Sequence, residues 1–223
     1  MLEVSTLSAW YGAAQVLFDV SLQVGPHELV VLEGLNGAGK STLMQSLIGL
    51  GPRVQGAVTF QGQSIAALPA HQRALLGLGY VPEDRRLFAD LTVRENLLVA
   101  ARPPTSKALS PAPGTAAQQL DQVFSLFPAL MAMHKRRAQE MSGGEQQMLS
   151  LARTLMTSPT MLLLDEPCEG IAPVLVEAMV DALLQLKGQG MSMLIAEQNA
   201  LLDAHADQVI TLVAGQTGVP PTP

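Results

Sequence analysis

Residues 34–42 read GLNGAGKST, and this stretch indicates the fold of the chain. It fits the pattern G-x-x-x-x-G-K-S/T, whose fixed positions are Gly34, Gly39, Lys40 and Ser41. An apolar strand predicted over 29–32 precedes the loop, and apolar residues at helical spacing follow it. An ordinary glycine-rich turn is the alternative, but the order strand, loop, helix favours a loop that binds phosphate.

The residue types in this loop suit a phosphate group. Glycines let the backbone bend so that successive N–H groups point at phosphate oxygens, and the following helix N-terminus adds partial positive charge. We expect Lys40 to reach the β- and γ-phosphates of a nucleotide. We expect Ser41 to supply an oxygen ligand to Mg²⁺.

A second motif, MLLLDEP over residues 161–167, places two carboxylates after an apolar strand. Ligands bind at the carboxyl ends of strands in open α/β sheets. Asp165 is therefore placed to hold Mg²⁺, directly or through water, and Glu166 to orient or deprotonate an attacking water. The alternative is a strand end that turns into solvent with two charges. Its occurrence beside the phosphate loop favours nucleotide hydrolysis.

Composition excludes several classes of function. Hydrophobic residues make up 48% and charged residues 14%, which is typical of a globular domain with a buried core. The 13 Lys and Arg against 19 Asp and Glu give a net charge of -6, which argues against a general nucleic-acid binder. The single Cys168 excludes an internal disulfide framework and suits a reducing cytoplasm.

The chain shows no targeting or membrane-spanning segment by its sequence. The first residues, MLEVSTLSAWYG, lack the basic start and apolar core of a signal peptide. A run of about 18 apolar residues, the length needed to span a bilayer, is also missing. We therefore expect any role at a membrane to be that of a peripheral subunit held by partners.

Strands alternate with helices along the chain, which predicts an α/β fold with a largely parallel sheet. The Pro- and Ser-rich residues 102–115 predict a surface linker, and a helical stretch is predicted from about Ala116 to His134. The predicted strands cover 4–7, 16–24, 29–32, 161–164 and 191–196.

A third motif, MSGGEQQ, occupies residues 141–147. Ser142 can cap a helix that starts near Glu145, and Gly143 and Gly144 permit close approach of the backbone to an anion. Taken alone, the motif is a capped helix start.

Together the three motifs make the chain resemble the ATP-binding subunits of ABC transporters over about residues 2–214. The signature of that family is close to LSGGQ, and here Met141 replaces the Leu and Glu145 the Gln. The resemblance implies a P-loop NTPase fold with a RecA-like core and an N-terminal antiparallel β-portion. It also implies one ATP-binding domain over 1–214 with a helical subdomain at about 92–157, and we expect a disordered tail over 215–223.

The resemblance also assigns the residues of the site, with ATP and Mg²⁺ as cofactors. In the family the signature loop of one subunit closes on ATP held by its partner, so one chain carries two half-sites. Tyr11 matches the aromatic that stacks on adenine; the alternative is a core aromatic at a strand end. The implied ATP contacts are Tyr11, Gly34, Asn36, Gly37, Ala38, Gly39, Lys40, Ser41, Thr42, Ser142, Gly143 and Gly144, with Ser41, Glu83 and Asp165 on the metal and Glu166 and Gln198 in catalysis.

Three positions depart from the usual pattern of the family. Glu83 stands where most members have Gln, Gln198 replaces the switch His, and Ala172 replaces an Asp. Gln can bond a γ-phosphate but carries no titratable proton, so the base role falls to Glu166. With the run at 80–97, these departures resemble the branched-chain amino acid importers, with urea and short-chain amide importers nearby.

Two further segments follow from the resemblance. Residues 80–97 match the loop that faces the membrane subunit, and Arg85 to Phe88 are the expected contacts; the alternative is a solvated charged turn. Residues 206–215, ADQVITLVAG, run into a Pro-rich end, so we expect the closing strands to be abbreviated.

The resemblance implies an ATPase subunit that drives import, with branched-chain amino acids as the expected cargo. It implies a second ATP-binding subunit, with a heterodimer favoured over a homodimer, and transmembrane permease subunits as partners. It places this chain at the cytoplasmic face of the cell membrane as a peripheral subunit. A substrate-binding protein takes part indirectly, and nucleic acid does not. The alternatives are a urea or amide importer, an impaired regulatory subunit, and a soluble ABC ATPase outside transport.

Overall fold

The computed structural model describes residues 1–101 and 114–218, so most of the predicted linker at 102–115 lies outside the described residues. The strands are β1 (Leu2–Tyr11), β2 (Ala14–Val24), β3 (Leu29–Glu33), β4 (Arg53–Phe60), β5 (Gln63–Ser64), β6 (Leu78–Val81), β7 (Met161–Asp165), β8 (Ser192–Glu197), β9 (Gln208–Val213) and β10 (Gln216–Thr217). The α-helices are α1 (Lys40–Ile48), α2 (Ala70–Leu75), α3 (Val93–Leu98), α4 (Ala116–Leu126), α5 (Pro128–Ala132), α6 (Gly143–Leu155) and α7 (Pro173–Gly188).

The N-terminal strands form an antiparallel sheet in the order β2-β1-β4-β5. Strands β1 and β2 make a hairpin in which Tyr11 pairs with Ala14 across a short turn. The predicted antiparallel portion at the N-terminus is therefore confirmed.

The second sheet has the order β10-β9-β3-β8-β7-β6, and its strands are parallel except for β10. Strands β7 and β8 are buried along their whole length, as expected for parallel strands covered on both faces. Since β3 and β7 run in the same direction, the loops that follow them leave the same edge of the sheet. The phosphate loop and the acidic pair therefore emerge side by side.

The core lies on both faces of the parallel sheet. Leu29 and Val31 of β3 join a cluster with residues of α6 and α7. Val30 and Leu32 point to the other face and join a cluster with α1 and the antiparallel sheet. This alternation follows from the two-residue period of a strand and fixes the sheet between two apolar layers. Within 1–101 and 114–218, no helix combines the length and apolar character that crossing a membrane requires.

Helices α3 to α6 lie between β6 and β7 in the chain, which agrees with an inserted helical region, and the bounds 92–157 stay a prediction. The helical stretch predicted over 116–134 is confirmed, and it consists of two helices, α4 and α5, that are interrupted at Phe127. The residue before a proline is pushed out of the helical region, and Phe127 has φ −125° and ψ 75° ahead of Pro128.

The C-terminal strands also correct the sequence analysis. Strand β9 pairs in parallel with β3 over 208–211, and β10 pairs with β9 through Gln216 and Thr217. The closing hairpin is therefore present, and the tail expected over 215–223 is wrong at Gln216 and Thr217. Residues 219–223 lie outside the described residues.

Candidate active site

The phosphate loop joins β3 to α1 through a backbone that two of its glycines make possible. Gly39 has φ 106°, a left-handed conformation that side-chain-bearing residues rarely adopt. A Cβ at Gly34 would lie 2.6 Å from the carbonyl oxygen of Leu212 in β9. The loop therefore packs directly against the closing hairpin. A side chain at Gly34 would collide with Leu212, so glycine is required at this position.

Helix α1 begins at Lys40 without a side-chain cap and without an acidic residue in its first turn. The N–H groups of a first helical turn have no partner within the helix and carry partial positive charge. The amino end of α1 is therefore a ready site for an anion.

Lys40 is buried, with 3% of its side chain exposed, and every polar contact of its ammonium group lies within the site. Its Nζ donates to the carbonyl oxygens of Gly34 at 2.6 Å and Leu35 at 3.3 Å. The same atom lies 2.9 Å from Oε1 of Glu166, whose side chain is 7% exposed. The phosphate loop and the acidic pair are thus joined by one buried ion pair.

Glu166 adopts a strained backbone. Its φ is 48°, which is uncommon for a residue with a side chain, and its N–H donates to Ala196 at the end of β8 at 3.0 Å. Such conformations cost on the order of 1–3 kcal/mol and persist where surrounding contacts impose them. Here the bend turns the carboxylate toward Lys40.

Asp165 accepts two hydrogen bonds. Ser41 Oγ donates to its Oδ1 at 3.1 Å, and the Tyr80 hydroxyl donates to its Oδ2 at 3.4 Å. Burial raises the pKa of Asp165 from 3.8 to about 6; the bond from Ser41 opposes this, and the charge of Glu166 adds to it. Burial, together with the charge of Asp165, also raises the pKa of Tyr80, so this hydroxyl remains a donor.

The oxygens of Ser41 and Asp165 fit a magnesium ion. Mg²⁺ prefers oxygen ligands and is held by one or two side chains together with phosphates and water. Among the described residues no group of three or more His, Cys, Asp and Glu forms a complete metal cage. This sparse set of donors suits a cation that arrives with a nucleotide.

The two motifs line one cleft of about 440 Å³, a volume suited to a small molecule. It holds most of the predicted phosphate-binding residues, together with Glu83 and Glu166. Glu169, which the sequence analysis missed, also lines it. The lining residues are Val16, Asn36, Gly37, Gly39, Lys40, Ser41, Thr42, Glu83, Glu166 and Glu169.

Eight of the predicted site residues lie outside the lining of this cleft: Tyr11, Gly34, Ala38, Ser142, Gly143, Gly144, Asp165 and Gln198. Tyr11 is 45% exposed, and its hydroxyl donates to Gln45 Oε1 at 2.9 Å. Ser142 caps α6 through the Glu145 N–H at 3.4 Å. Gln198 is exposed after β8. Within the described residues, one chain therefore does not bring its own signature loop into its own cleft.

The cap formed by Ser142 is reciprocal, because Glu145 Oε2 accepts the Ser142 N–H at 2.7 Å. The predicted cap is confirmed, but the helix begins at Gly143 and not near Glu145. Both glycines of the motif are tightly placed. A Cβ at Gly143 would lie 3.1 Å from the Arg85 guanidinium, and one at Gly144 would lie 2.5 Å from Leu175 Cδ1.

The segment at 83–88 is anchored on α6. Arg85 Nη1 donates to Gln146 Oε1, and Ser150 Oγ donates to the Arg85 carbonyl, both at 3.1 Å. Phe88 is 51% exposed next to the Arg153 guanidinium. The alternative of a solvated charged turn is therefore wrong for Arg85. Phe88 is exposed and free to contact another molecule.

Sequence analysis missed a buried carboxylate behind the site. Glu197 is 2% exposed, and its Oε1 accepts the Cys168 N–H at 3.2 Å. Burial raises the pKa of Glu197 to about 7, and the hydrogen bonds from Cys168 oppose the shift. Burial and the neighbouring Glu197 raise the pKa of the Cys168 thiol to about 12, so the thiol stays protonated. The only signal in the sequence was a charged residue at the end of an apolar strand.

The fold and the cleft together define a nucleotide-binding domain of the phosphate-loop class. Residues 17–169 match the ABC transporter family. The chain belongs to that family and is an ATP-binding subunit that hydrolyses ATP.

Named relatives come from bacteria and an archaeon. The chain is 40% identical to "High-affinity branched-chain amino acid transport ATP-binding protein BraG" of Pseudomonas aeruginosa over 90% of this chain and 83% of that protein. It is 35% identical to "Probable branched-chain amino acid transport ATP-binding protein LivF" of Archaeoglobus fulgidus over 97% of this chain and 89% of that one. It is also 35% identical to "Lipopolysaccharide export system ATP-binding protein LptB" of Haemophilus influenzae, over 89% and 80% respectively.

Solved structures agree with the fold. A nucleotide-free ATP-binding cassette from an ABC transporter superposes with a TM-score of 0.83 at 26% identity, covering 98% of this chain and 90% of that one. An ATP-binding subunit of an ABC transporter superposes with a TM-score of 0.81 at 30% identity, covering 98% and 88%. The predicted P-loop NTPase fold is confirmed.

Proposed function

We propose that this chain supplies the energy for an importer of branched-chain amino acids, as one of two ATP-binding subunits on the cytoplasmic face of the membrane. The observation that carries its role in hydrolysis is the buried pair of Lys40 and Glu166, 2.9 Å apart inside the cleft of the phosphate loop. The likeness to BraG and LivF supports the cargo. The partners are a second, different ATP-binding subunit and the permease subunits, with a substrate-binding protein acting through them.

The triphosphate of ATP lies along the phosphate loop and the amino end of α1. The uncapped first turn of this helix supplies N–H donors, and the Lys40 ammonium supplies positive charge. Tyr11, whose hydroxyl donates to Gln45 of α1, would stack on the adenine ring. The loop residues that contact ATP are Gly34, Asn36, Gly37, Ala38, Gly39, Lys40, Ser41 and Thr42.

Bound phosphate changes the partner of Lys40. In the free chain the carboxylate of Glu166 balances the buried ammonium. When a phosphate oxygen takes that place, the Glu166 carboxylate is released from Lys40. Nucleotide binding thereby prepares the base for the next step.

Ser41 and Asp165 would hold Mg²⁺ together with Glu83, which also lines the cleft. The ion supplies charge neutralisation for the phosphates during transfer. Its binding requires Asp165 to be ionised, and the positive charge favours that form over the protonated one.

Glu166 acts as the general base for hydrolysis. Its carboxylate accepts a proton from water, the water oxygen bonds to the γ-phosphorus, and the bond to the β-phosphate oxygen breaks to leave ADP and phosphate. Gln198 donates a hydrogen bond to the γ-phosphate and holds no transferable proton. Hydrolysis therefore depends on Glu166 alone for proton removal.

The signature loop completes the site of the second subunit. Ser142, Gly143 and Gly144 lie outside the cleft of their own chain, which supports a sandwich in which each nucleotide lies between two subunits. Gly143 and Gly144 at the start of α6 carry no side chains, which suits close approach of the backbone to the phosphates of the partner's ATP.

The permease docks near the segment at 83–88. A groove of about 380 Å³ opens between α2 and α6, and Leu50, Tyr80 and Arg86 are among its lining residues. Exposed Phe88 lies close by on the same segment. Because Glu83 lines the ATP cleft, movement of the segment on docking reaches the nucleotide directly.

The test is uptake of labelled leucine and labelled urea by cells with and without the chain, with Lys40→Ala as the inactive control. Loss of leucine uptake alone supports the proposal, and loss of urea uptake alone assigns the cargo to the amide importers. The likeness to LptB makes lipopolysaccharide export the second candidate. A defect in outer-membrane lipopolysaccharide with normal uptake of both solutes would replace the importer by an exporter.

A further inference from the structure

The end of β8 holds the catalytic turn at two points. The Ala196 carbonyl accepts the Glu166 N–H at 3.0 Å. Two residues further along the turn, Glu197 Oε1 accepts the Cys168 N–H at 3.2 Å. Pro167 between them has no N–H, so these two bonds use the backbone donors that surround the general base.

Glu166 needs this support because its backbone is strained. A φ of 48° is costly for a residue with a side chain, and it persists only where neighbouring contacts determine it. When Lys40 binds phosphate, its ion pair with Glu166 is broken and no longer holds the turn in place. The bonds from β8, together with the Glu169 N–H that donates to the Glu166 carbonyl at 3.3 Å, then keep the turn in place.

Glu197 is a costly residue at this position. It is 2% exposed and has no ion pair among the described residues, and a buried carboxylate requires compensation by hydrogen bonds. The Cys168 backbone N–H supplies such a bond at 3.2 Å. The acceptor is therefore tied to the catalytic turn, and the next residue along the chain is Gln198, the proposed contact for the γ-phosphate.

We propose that Glu197 is a positioning residue for hydrolysis, which fixes the turn carrying Glu166 and couples that turn to Gln198. The proposal rests on the base role of Glu166 given above. It predicts that Glu197 governs turnover and leaves the affinity for ATP unchanged, since its carboxylate faces the backbone behind the cleft and does not line it.

The test compares Glu197→Ala, Glu197→Met and Glu197→Gln by kcat and KM in the assembled transporter and by the Kd for ATP in the isolated chain. The Ala and Met variants are expected to lose roughly 10-fold or more in kcat, with ATP affinity within about 2-fold of wild type. The Met variant fills the space without an acceptor and carries the test if the Ala variant fails to fold. Glu197→Gln keeps an oxygen acceptor and is expected to restore most of the turnover.

Two controls separate the possible failures. Glu177→Ala removes an exposed carboxylate from α7 and is expected to behave as wild type. Glu166→Gln in the same assay tests the base role itself. If Glu166→Gln is inactive while Glu197→Met turns over normally, positioning by Glu197 is wrong and the base role stands. A Glu197→Gln variant as slow as Glu197→Ala would also overturn the proposal, and full activity of Glu166→Gln would overturn the proposed function.

Discussion

Lys40 and Glu166 compensate each other inside the protein before any nucleotide arrives. Their charged atoms lie 2.9 Å apart, and both side chains are almost fully buried. A buried charge without a partner is expensive, so the pair stabilises the empty cleft. The same pair competes with phosphate binding, because the Glu166 carboxylate contacts the Lys40 ammonium group that a phosphate oxygen would contact.

Removal of this competition gives a prediction at the scale of the residue. Glu166→Gln is expected to bind ATP about 3- to 10-fold more tightly than wild type, because a neutral amide holds Lys40 less strongly and repels phosphate less. Isothermal titration with Mg-ATP measures the difference, and Glu177→Gln on exposed α7 is the matched control. Weaker binding by the Glu166 variant than by the control would contradict this competition.

The buried Glu197 carboxylate predicts a pH dependence of stability. Burial raises the pKa of Glu197 from 4.5 to about 7 in the folded chain. The folded state then holds this proton more tightly than the unfolded state. Its stabilising effect is therefore complete below the unfolded pKa and is lost as the pH rises through the folded one.

Urea unfolding of the nucleotide-free chain at pH 5, 6, 7 and 8 measures this effect. The free energy of unfolding of wild type is expected to fall relative to Glu197→Gln by on the order of 1–3 kcal/mol over this range. Asp165, whose pKa burial also raises, remains in both proteins and cancels in the comparison. Parallel pH curves for the two proteins would show that Glu197 does not titrate as its burial requires.

At the residue scale, the sequence predicts those groups whose chemistry depends on local spacing. Lys40 and Ser41 follow from the glycine pattern, and Asp165 and Glu166 from the end of an apolar strand. Glu197 ends a similar strand, but its contact with Cys168 joins residues 29 positions apart, and no local pattern contains it. Glu169 likewise reaches the cleft only because the turn after β7 folds back.

At the scale of the element, the closing hairpin supports the phosphate loop. The Gly215 N–H in the turn between β9 and β10 donates to the Ala38 carbonyl at 2.9 Å, and the Phe18 N–H donates to Gly215 at 2.8 Å. Leu212 of β9 packs its carbonyl oxygen against Gly34. The C-terminal strands therefore support the phosphate loop of the nucleotide cleft.

Gly215→Ala is expected to lower both stability and ATP affinity. Gly215 has φ 78°, and a Cβ there would overlap the Val16 carbonyl oxygen. We expect a loss of about 1–3 kcal/mol in the free energy of unfolding, measured by urea, together with a higher Kd for ATP. Gly218→Ala is the control, since a Cβ at Gly218 meets no atom within 4 Å. Equal stability of the two variants would contradict the support given by the hairpin.

The order of elements was predictable from alternating apolar strands and helices, but two boundaries were not. The helical stretch over 116–134 is interrupted because Pro128 restricts the backbone of Phe127. The spacing of apolar residues does not reveal this interruption. The hairpin at 208–217 forms because β3 and β2 offer it partners distant in the chain. A short polar segment such as Gln216–Thr217 carries too little pattern to predict a strand.

At the scale of the whole molecule, the separate positions of the cleft and the signature loop predict a division of labour between subunits. Ser142→Arg is expected to leave the ATP affinity of the isolated chain within about 2-fold of wild type, because Ser142 does not line its own cleft. The same change is expected to abolish ATP turnover by the assembled transporter, where a bulky cation disrupts contact with the partner's ATP. A large fall in ATP affinity of the isolated chain would place the loop in its own site.

The central claim is that Lys40 holds the phosphates of ATP while Glu166 activates the water that cleaves them. The most direct test is to measure ATP binding and phosphate release in the same preparations of wild type, Lys40→Ala and Glu166→Gln. Lys40→Ala is expected to lose ATP binding, whereas Glu166→Gln is expected to bind ATP and to release phosphate at least ~100-fold more slowly than wild type. Full turnover by Glu166→Gln, or undiminished ATP binding by Lys40→Ala, would contradict the account.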